Sequence, residues 1–156
     1  MSTIAHILDS KGHDVVKIDS EAKVIDAANL MNKHHIGAVV VTQSEKVIGI
    51  FSERDILNRV VAQNRDPAEL YVREVMTAPV ACCGPDTSRA ECRSVMKNRR
   101  VRHLPVVKDG RLIGIISIGD ILEDEGAEQQ ATIRNLYEYI NVDWDAASES
   151  NPSAEK

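Results

Sequence analysis

At 156 residues the chain can hold one ordinary domain or two small units sharing a core, and 43% hydrophobic with 28% charged residues is the balance of a soluble globular protein. A net charge of −5 disfavours a nucleic-acid partner, and a single Phe and a single Trp supply no platform for stacking bases. No apolar run approaches the ~20 residues of a membrane span and the N-terminal residues lack a signal-peptide pattern, so no membrane association and a cytoplasmic location are expected.

Ile4, Ile7 and Leu8 have helical spacing and predict a short amphipathic helix over Thr3–Ser10. Gly12-His13 reads as a turn and Asp14–Ile18 as a short strand. Ser20 is a plausible cap for a helix whose inward residues are Val24, Ala27, Ala28 and Met31, ending near His34-His35. Gly37–Thr42 and Lys46–Phe51 are strands joined by a tight turn at Ser44-Glu45. Ser52 starts the next helix, with Ile56, Leu57, Val60 and Val61 as its apolar face.

Gln63–Glu69 is polar, contains Pro67 and reads as a linker, followed by a helical turn over Val72–Met76. Val80–Cys83 is expected to be a strand. Ser88 with Glu91 is a capping-box pattern before a helix that turns Cys92, Val95 and Met96 inward. His103–Val107 and Arg111–Ile116 are strands around an Asp109-Gly110 hairpin turn, and a helix starts after Ser117. Ile133, Leu136, Tyr137 and Ile140 form a further helical stripe, to be covered by the rest of the chain or by a partner subunit. Beyond Asn141 the composition predicts a disordered acidic tail. Three cysteines make no disulfide framework and read as buried or idle thiols.

The order strand, helix, strand, strand, helix thus occurs twice. Val47–Leu57 and Leu112–Leu122 share seven of eleven residues at an offset of 65 positions. The fold class expected is α/β (α+β), with two pseudo-symmetric β-α-β-β-α repeats packed together because units this small bury too little surface alone. The expected division is repeat 1 with its N-terminal helix over 1–65 and a linker over 66–74. Repeat 2 follows over 75–125, a C-terminal helix over 126–141 and the tail over 142–156.

Each copy ends its last strand in Ser and carries Asp three residues later: Ser52 with Asp55, and Ser117 with Asp120. One reading is a helix cap, the Ser accepting from free N–H groups and the Asp favouring the positive end of the helix dipole. The other is a ribonucleotide site. A helix N-terminus suits phosphate, and a carboxylate offers acceptors to two vicinal hydroxyls. Gly49 and Gly114 inside the strands mark close approach of another backbone or a ligand. Arg54 lies within reach of a phosphate, as do Arg102 and His103 at a strand edge, whereas Arg99 and Arg100 read as cations at a helix C-terminus. No motif sets a His beside Ser or Cys, so catalysis is not expected, and the adjacent His34-His35 lack metal-ligand spacing.

The two repeats, their closing motifs, Arg102–Val107 and Val75-Met76-Thr77 together resemble a tandem pair of cystathionine-β-synthase (CBS) domains over about Thr3–Asn141. The whole chain is similar to small stand-alone bacterial proteins of one such pair and a C-terminal helix. The resemblance implies a regulatory, energy-sensing module with two clefts for adenine nucleotides: AMP, ADP, ATP, or NAD(H) or S-adenosylmethionine. It implies that Asp55 and Asp120 hold ribose hydroxyls, that Ser52 and Ser117 lie by phosphate or ribose, and that adenine rests against Ile36-Gly37-Ala38 and Leu104-Pro105. It also implies a disc-like homodimer and an unidentified regulated protein. A ligand-free interaction module, or less favourably a nucleic-acid binder, is the alternative. The clefts differ in sequence, so unequal occupancy is expected.

Overall fold

The two halves build the same framework because the same residue pattern recurs at the same spacing. The computed structural model describes residues 2–139. In order, the elements are α1 (Ile4–Lys11), β1 (Lys17–Asp19), α2 (Val24–His34), β2 (Ala38–Gln43), β3 (Lys46–Ser52) and α3 (Glu53–Asp55). Then come α4 (Val72–Val75), α5 (Arg89–Arg99), β4 (His103–Lys108), β5 (Arg111–Ser117) and α6 (Ile118–Tyr139). The mixed helix and strand content is that of two α+β repeats. Two units form, Met1–Ile118 and Gly119–Lys156.

In the first unit, β1 pairs parallel with β2 and β2 antiparallel with β3, while β4 pairs antiparallel with β5. The hairpins match residue for residue: Ala38 faces Ser52 as His103 faces Ser117, and the register slips after Val41 as it does after Val106. Both turns place their two central residues at positive φ, Ser44-Glu45 and Asp109-Gly110, which fits the right-handed twist of the strands they join. Helices α2 and α5 both end on a left-handed residue, His35 and Arg100, whose N–H closes back on the last turn.

Val24, Ala27 and Met31 of α2 pack with Val39, Val41 and Phe51 of the sheet and with Val60, Leu70, Val72 and Val75. Phe51 is fully buried, and each large side chain so placed contributes about 1.5–3 kcal/mol. The second repeat buries Cys92, Met96, Leu104, Val106 and Ile116, and α1 buries Ile4, Ile7 and Leu8. The strand glycines admit these neighbours. A methyl on Gly49 would lie 2.6 Å from Met76 Sδ and 3.0 Å from the Thr77 carbonyl, and one on Gly114 would lie 2.6 Å from Leu8 Cδ2. The close approach read from both glycines is therefore protein packing and not ligand.

Several elements differ from the expectation. Ser20 does not cap α2: Lys23 holds the N-cap position, and the N–H groups of Val24 and Ile25 donate to the carbonyls of Leu70 and Pro67. The segment 66–71 thus closes the helix end that Ser20, three residues further back, does not. Ser20 is buried, and its hydroxyl has no partner among the described residues. Val80–Cys83 is no strand; only Cys83 bridges Val106, in parallel. The ladder stops there because Gly84 N–H turns to Thr87 Oγ1, and Pro85 has no N–H to give.

Beyond Asp55, α3 runs on as a π-helical segment, Ile56–Val61. Val60 is buried there, but Leu57 is 60% and Val61 62% exposed, so neither completes the apolar face read from the sequence; Leu122, the counterpart of Leu57 in the regular helix α6, is 56% exposed as well. In the second unit α6 is one uninterrupted helix across the boundary expected at 125/126. Its Glu, Ala and Gln residues carry the helix through Gly126. The last part of the C-terminal stripe, Ile140, and the acidic tail lie outside the described residues. No described helix is long and apolar enough to cross a membrane.

Candidate functional site

The turn from β3 into α3 is fixed by a capping box. Ser52 Oγ accepts from Asp55 N–H at 3.4 Å, while Asp55 Oδ2 accepts from Ser52 N–H at 3.0 Å and from the Ser52 hydroxyl at 3.2 Å. The capping role read from Ser-x-x-Asp is thus present. Asp55 does more than cap. Its Oδ1 accepts from Thr77 Oγ1 at 3.0 Å and lies 3.7 Å from Arg59 Nε. At 5% exposure this carboxylate is nearly buried, and it is held from both sides of the turn.

Arg59 ties the same corner to the segment after α4. Its Nη1 donates to the carbonyls of Met76 at 2.6 Å and Val75 at 3.2 Å. Thr77 is locked by two backbone bonds, its N–H to Ile50 O and its carbonyl to Ile50 N–H. Asp55 is therefore positioned by three separated stretches of chain: the end of β3, the π-helical segment, and the strand-like residues 76–77.

These residues form one wall of a cavity of ≈ 320 Å³. The opposite wall is the turn after α5, with Arg99, Arg100, Val101, Arg102 and His103. The left-handed Arg100 reverses the chain there, and Ile118 N–H donates to Arg102 O, which ties the residues after α5 to the end of β5. Gly37 lines the cavity with Glu53 above it: a methyl at Gly37 would lie 2.6 Å from Glu53 Oε1 and 3.9 Å from His103 Cε1. A second hollow of ≈ 230 Å³ shares Ile50, Thr77, Arg99, Val101 and His103 with the first, and is otherwise lined by Ala78, Pro79, Val80 and Ala81. The first hollow thus gathers guanidinium groups, the Asp55 carboxylate and the Thr77 hydroxyl, and the second adds the apolar stretch 78–81 while sharing Arg99 and His103.

Of the residues singled out in the sequence, Gly37, Ser52, Arg54, Asp55, Arg102 and His103 come together here. Ile36, Ala38, Leu104 and Pro105 are not brought to the cavity. Ile36 packs on the core of the first repeat, Ala38 and Pro105 are buried in their strands, and Leu104 is fully enclosed. Strand alternation accounts for Leu104, which points to the face opposite His103; Pro105 shares the face of His103 but is buried further along β4. Ser117 ends β5 opposite His103, and Asp120 lies in the first turn of α6 in the second unit. Neither lines this cavity.

Sequence reasoning missed Thr77, Asn58, Arg59 and the apolar stretch 78–81, and took Arg99 and Arg100 for dipole cations. The i, i+4 spacing of Asp55 and Arg59 was a usable signal. Thr77 had none, because its contact with Asp55 spans 22 positions. The thiols lie elsewhere: Cys92 is buried, Cys83 half-buried and Cys82 exposed. A hydrogen bond to Cys92, with burial, pushes the Cys83 thiol far up, and the same bond draws the Cys92 thiol down. Among the described residues no three His, Cys, Asp or Glu side chains gather as a metal site.

The family model for the CBS domain matches the chain twice, over residues 7–62 and 72–125. A mitochondrial CBS domain-containing protein of Arabidopsis thaliana, CBSX3, is 30% identical over 89% of this chain and 72% of its own length. The structure of a protein with CBS domains from Burkholderia ambifaria superposes with a TM-score of 0.78 at 39% identity, covering 82% of this chain and 96% of that one. The CBS domain pair of protein MJ0100, solved with 5′-methylthioadenosine and S-adenosyl-L-methionine, superposes with a TM-score of 0.73 at 25% identity, covering 82% of this chain and 98% of that one.

Proposed function

Because the chain belongs to the CBS-domain family, we propose that it is an adenine-nucleotide-binding regulatory module whose ligand occupies the cavity between Asp55 and the turn after α5. The observation that carries this reading is the combination of chemistry lining that space. Cations meet phosphate, the Asp55 carboxylate with the Thr77 hydroxyl meets a diol, and the apolar hollow at Ala78–Ala81 receives a base. The ligands in the MJ0100 structure, both adenosine derivatives, support the same class.

An ionised carboxylate offers about four acceptor positions, and three at Asp55 are taken by Ser52 N–H, Ser52 Oγ–H and Thr77 Oγ–H. A ribose diol would displace the two hydroxyls, which can rotate and hydrogen-bond to the sugar, while the backbone bond from Ser52 keeps the carboxylate in place. The cap is therefore the positioning device of the binding group. AMP, ADP, ATP and NAD(H) all fit this description. Ser117 and Asp120 are the counterparts of Ser52 and Asp55 at the offset of 65 positions.

The module regulates by binding its ligand more tightly in one arrangement of the chain than in another, for a protein that reads the difference. No catalysis is proposed for it: the Ser52 hydroxyl is engaged with Asp55 in a helix cap. The exposed Leu57 and Val61 support pairing of two copies through the helices. Binding is tested by melting the protein with AMP, ATP, NADH, S-adenosylmethionine and a short RNA. Saturation to 100 times the dissociation constant raises stability by about 2.7 kcal/mol. The expected outcome is a rise with at least one adenine nucleotide and none with RNA. A response to RNA alone would replace this reading with the nucleic-acid one, and no response to any compound would leave a ligand-free scaffold.

A further inference from the structure

We infer that this cavity selects a nucleotide with at least two phosphates over the monophosphate, and that each chain holds one such ligand. The inference rests on the nucleotide reading above and specifies its ligand.

The first ground is charge. Five arginines line the cavity against two carboxylates, Glu53 and Asp55. Arg59 is engaged, bonded to the Val75 and Met76 carbonyls and paired with Asp55. The side chains of Arg54, Arg99, Arg100 and Arg102 have no hydrogen bond or ion pair among the described residues. Four guanidinium groups that repel one another around one space are tolerated because they are exposed, and an anion removes that repulsion. A phosphate monoester carries at most about two negative charges. Set against a surplus of three positive charges, it leaves the cluster unneutralised. A diphosphate or triphosphate matches it, and its additional oxygens give the guanidinium forks bidentate partners that a single phosphate shares out thinly.

The second ground is that the cluster belongs to one repeat arrangement alone. The repeat equivalence is exact in the framework: α2 with α5, β2 with β4, β3 with β5, and the left-handed caps His35 with Arg100, all 65 positions apart. At that offset Arg99, Arg100 and Arg102 correspond to His34, His35 and Gly37, while Arg54 and Arg59 correspond to Gly119 and Asp124. None of the five has an arginine or a lysine as its counterpart. The Ser and Asp of the motif are duplicated; the phosphate-binding charge is not.

Isothermal titration of the full chain with adenosine, AMP, ADP, ATP and inorganic triphosphate tests this, with Arg99→Ala/Arg100→Asn as the variant. Asn is chosen at position 100 because it tolerates the left-handed backbone there. ATP and ADP should bind about tenfold or more tightly than AMP, one per chain, since a charged hydrogen bond is worth that factor. The variant should lose most of that advantage while keeping its affinity for adenosine and its melting temperature without ligand. Equal affinity for AMP and ATP, or two ATP per chain, overturns the inference and leaves the nucleotide reading standing. Inorganic triphosphate binding as tightly as ATP, with adenosine and AMP not bound, overturns the nucleotide reading instead and leaves a polyphosphate site.

Discussion

Asp55 serves two masters, the fold and the ligand, and the two can be separated by substitution. As a cap and as the acceptor for Thr77, it holds the β3–α3 corner to residues 76–77. Asp55→Ala should lower unfolding free energy by about 1–3 kcal/mol, the sum expected for a lost cap and an orphaned hydroxyl. Thr77→Val, which removes the hydroxyl but keeps the shape, should cost about 1 kcal/mol. Urea denaturation measures both. Nucleotide stabilisation should vanish in Asp55→Ala and be weakened in Thr77→Val. Unchanged nucleotide responses in both variants would mean that Asp55 is a cap and nothing more. At this scale the sequence was half legible. The Ser-x-x-Asp spacing announced both the cap and the carboxylate. Thr77 and the apolar stretch after it were invisible, because what makes them relevant is a contact far along the chain and not a local pattern.

At the scale of elements, the repeat made the hairpins, the two long helices of the first unit and the N-cap of α5 readable. Each is specified by short-range signals: β-branched runs, positive-φ turns and the Ser88–Glu91 box. Where expectation failed, a tertiary partner had replaced a local one. The N-terminus of α2 is closed by carbonyls of 67 and 70, so Ser20 is not needed as a cap. Gly84 and Pro85 stop the strand expected at Val80–Cys83. Leu57 and Val61 of the π-helical segment face outward. The strand glycines carry a prediction of their own. Gly49→Ala puts a methyl against Met76 Sδ and the Thr77 carbonyl, the very residues that position Asp55. Overpacking there should cost about 1–3 kcal/mol in a denaturant titration and also weaken nucleotide binding. Loss of stability with binding intact would show that the 76–77 segment does not set the site.

At the scale of the molecule, duplication sets the frame, and departures from it set the function. The equivalent framework places Ser52 and Ser117 at matching strand ends, each opposite the first residue of the neighbouring strand. The charges around them are not matched, as Arg54 against Gly119 and Arg100 against His35 illustrate. The sequence predicted unequal sites from these differences. Only the fold shows that Arg99 and Arg100, far from Arg54 in the chain, line the same space, so that a protein of net charge −5 carries a cationic cavity. Whether this cavity seats a nucleotide across Asp55 is decided by a crystal structure grown with ADP. Ribose hydroxyls should lie within hydrogen-bond distance of the Asp55 carboxylate, the base beside Pro79 and the diphosphate among Arg99, Arg100 and Arg102. An ADP seated elsewhere on the chain, with Asp55 still bonded only to Ser52 and Thr77, would contradict that seating.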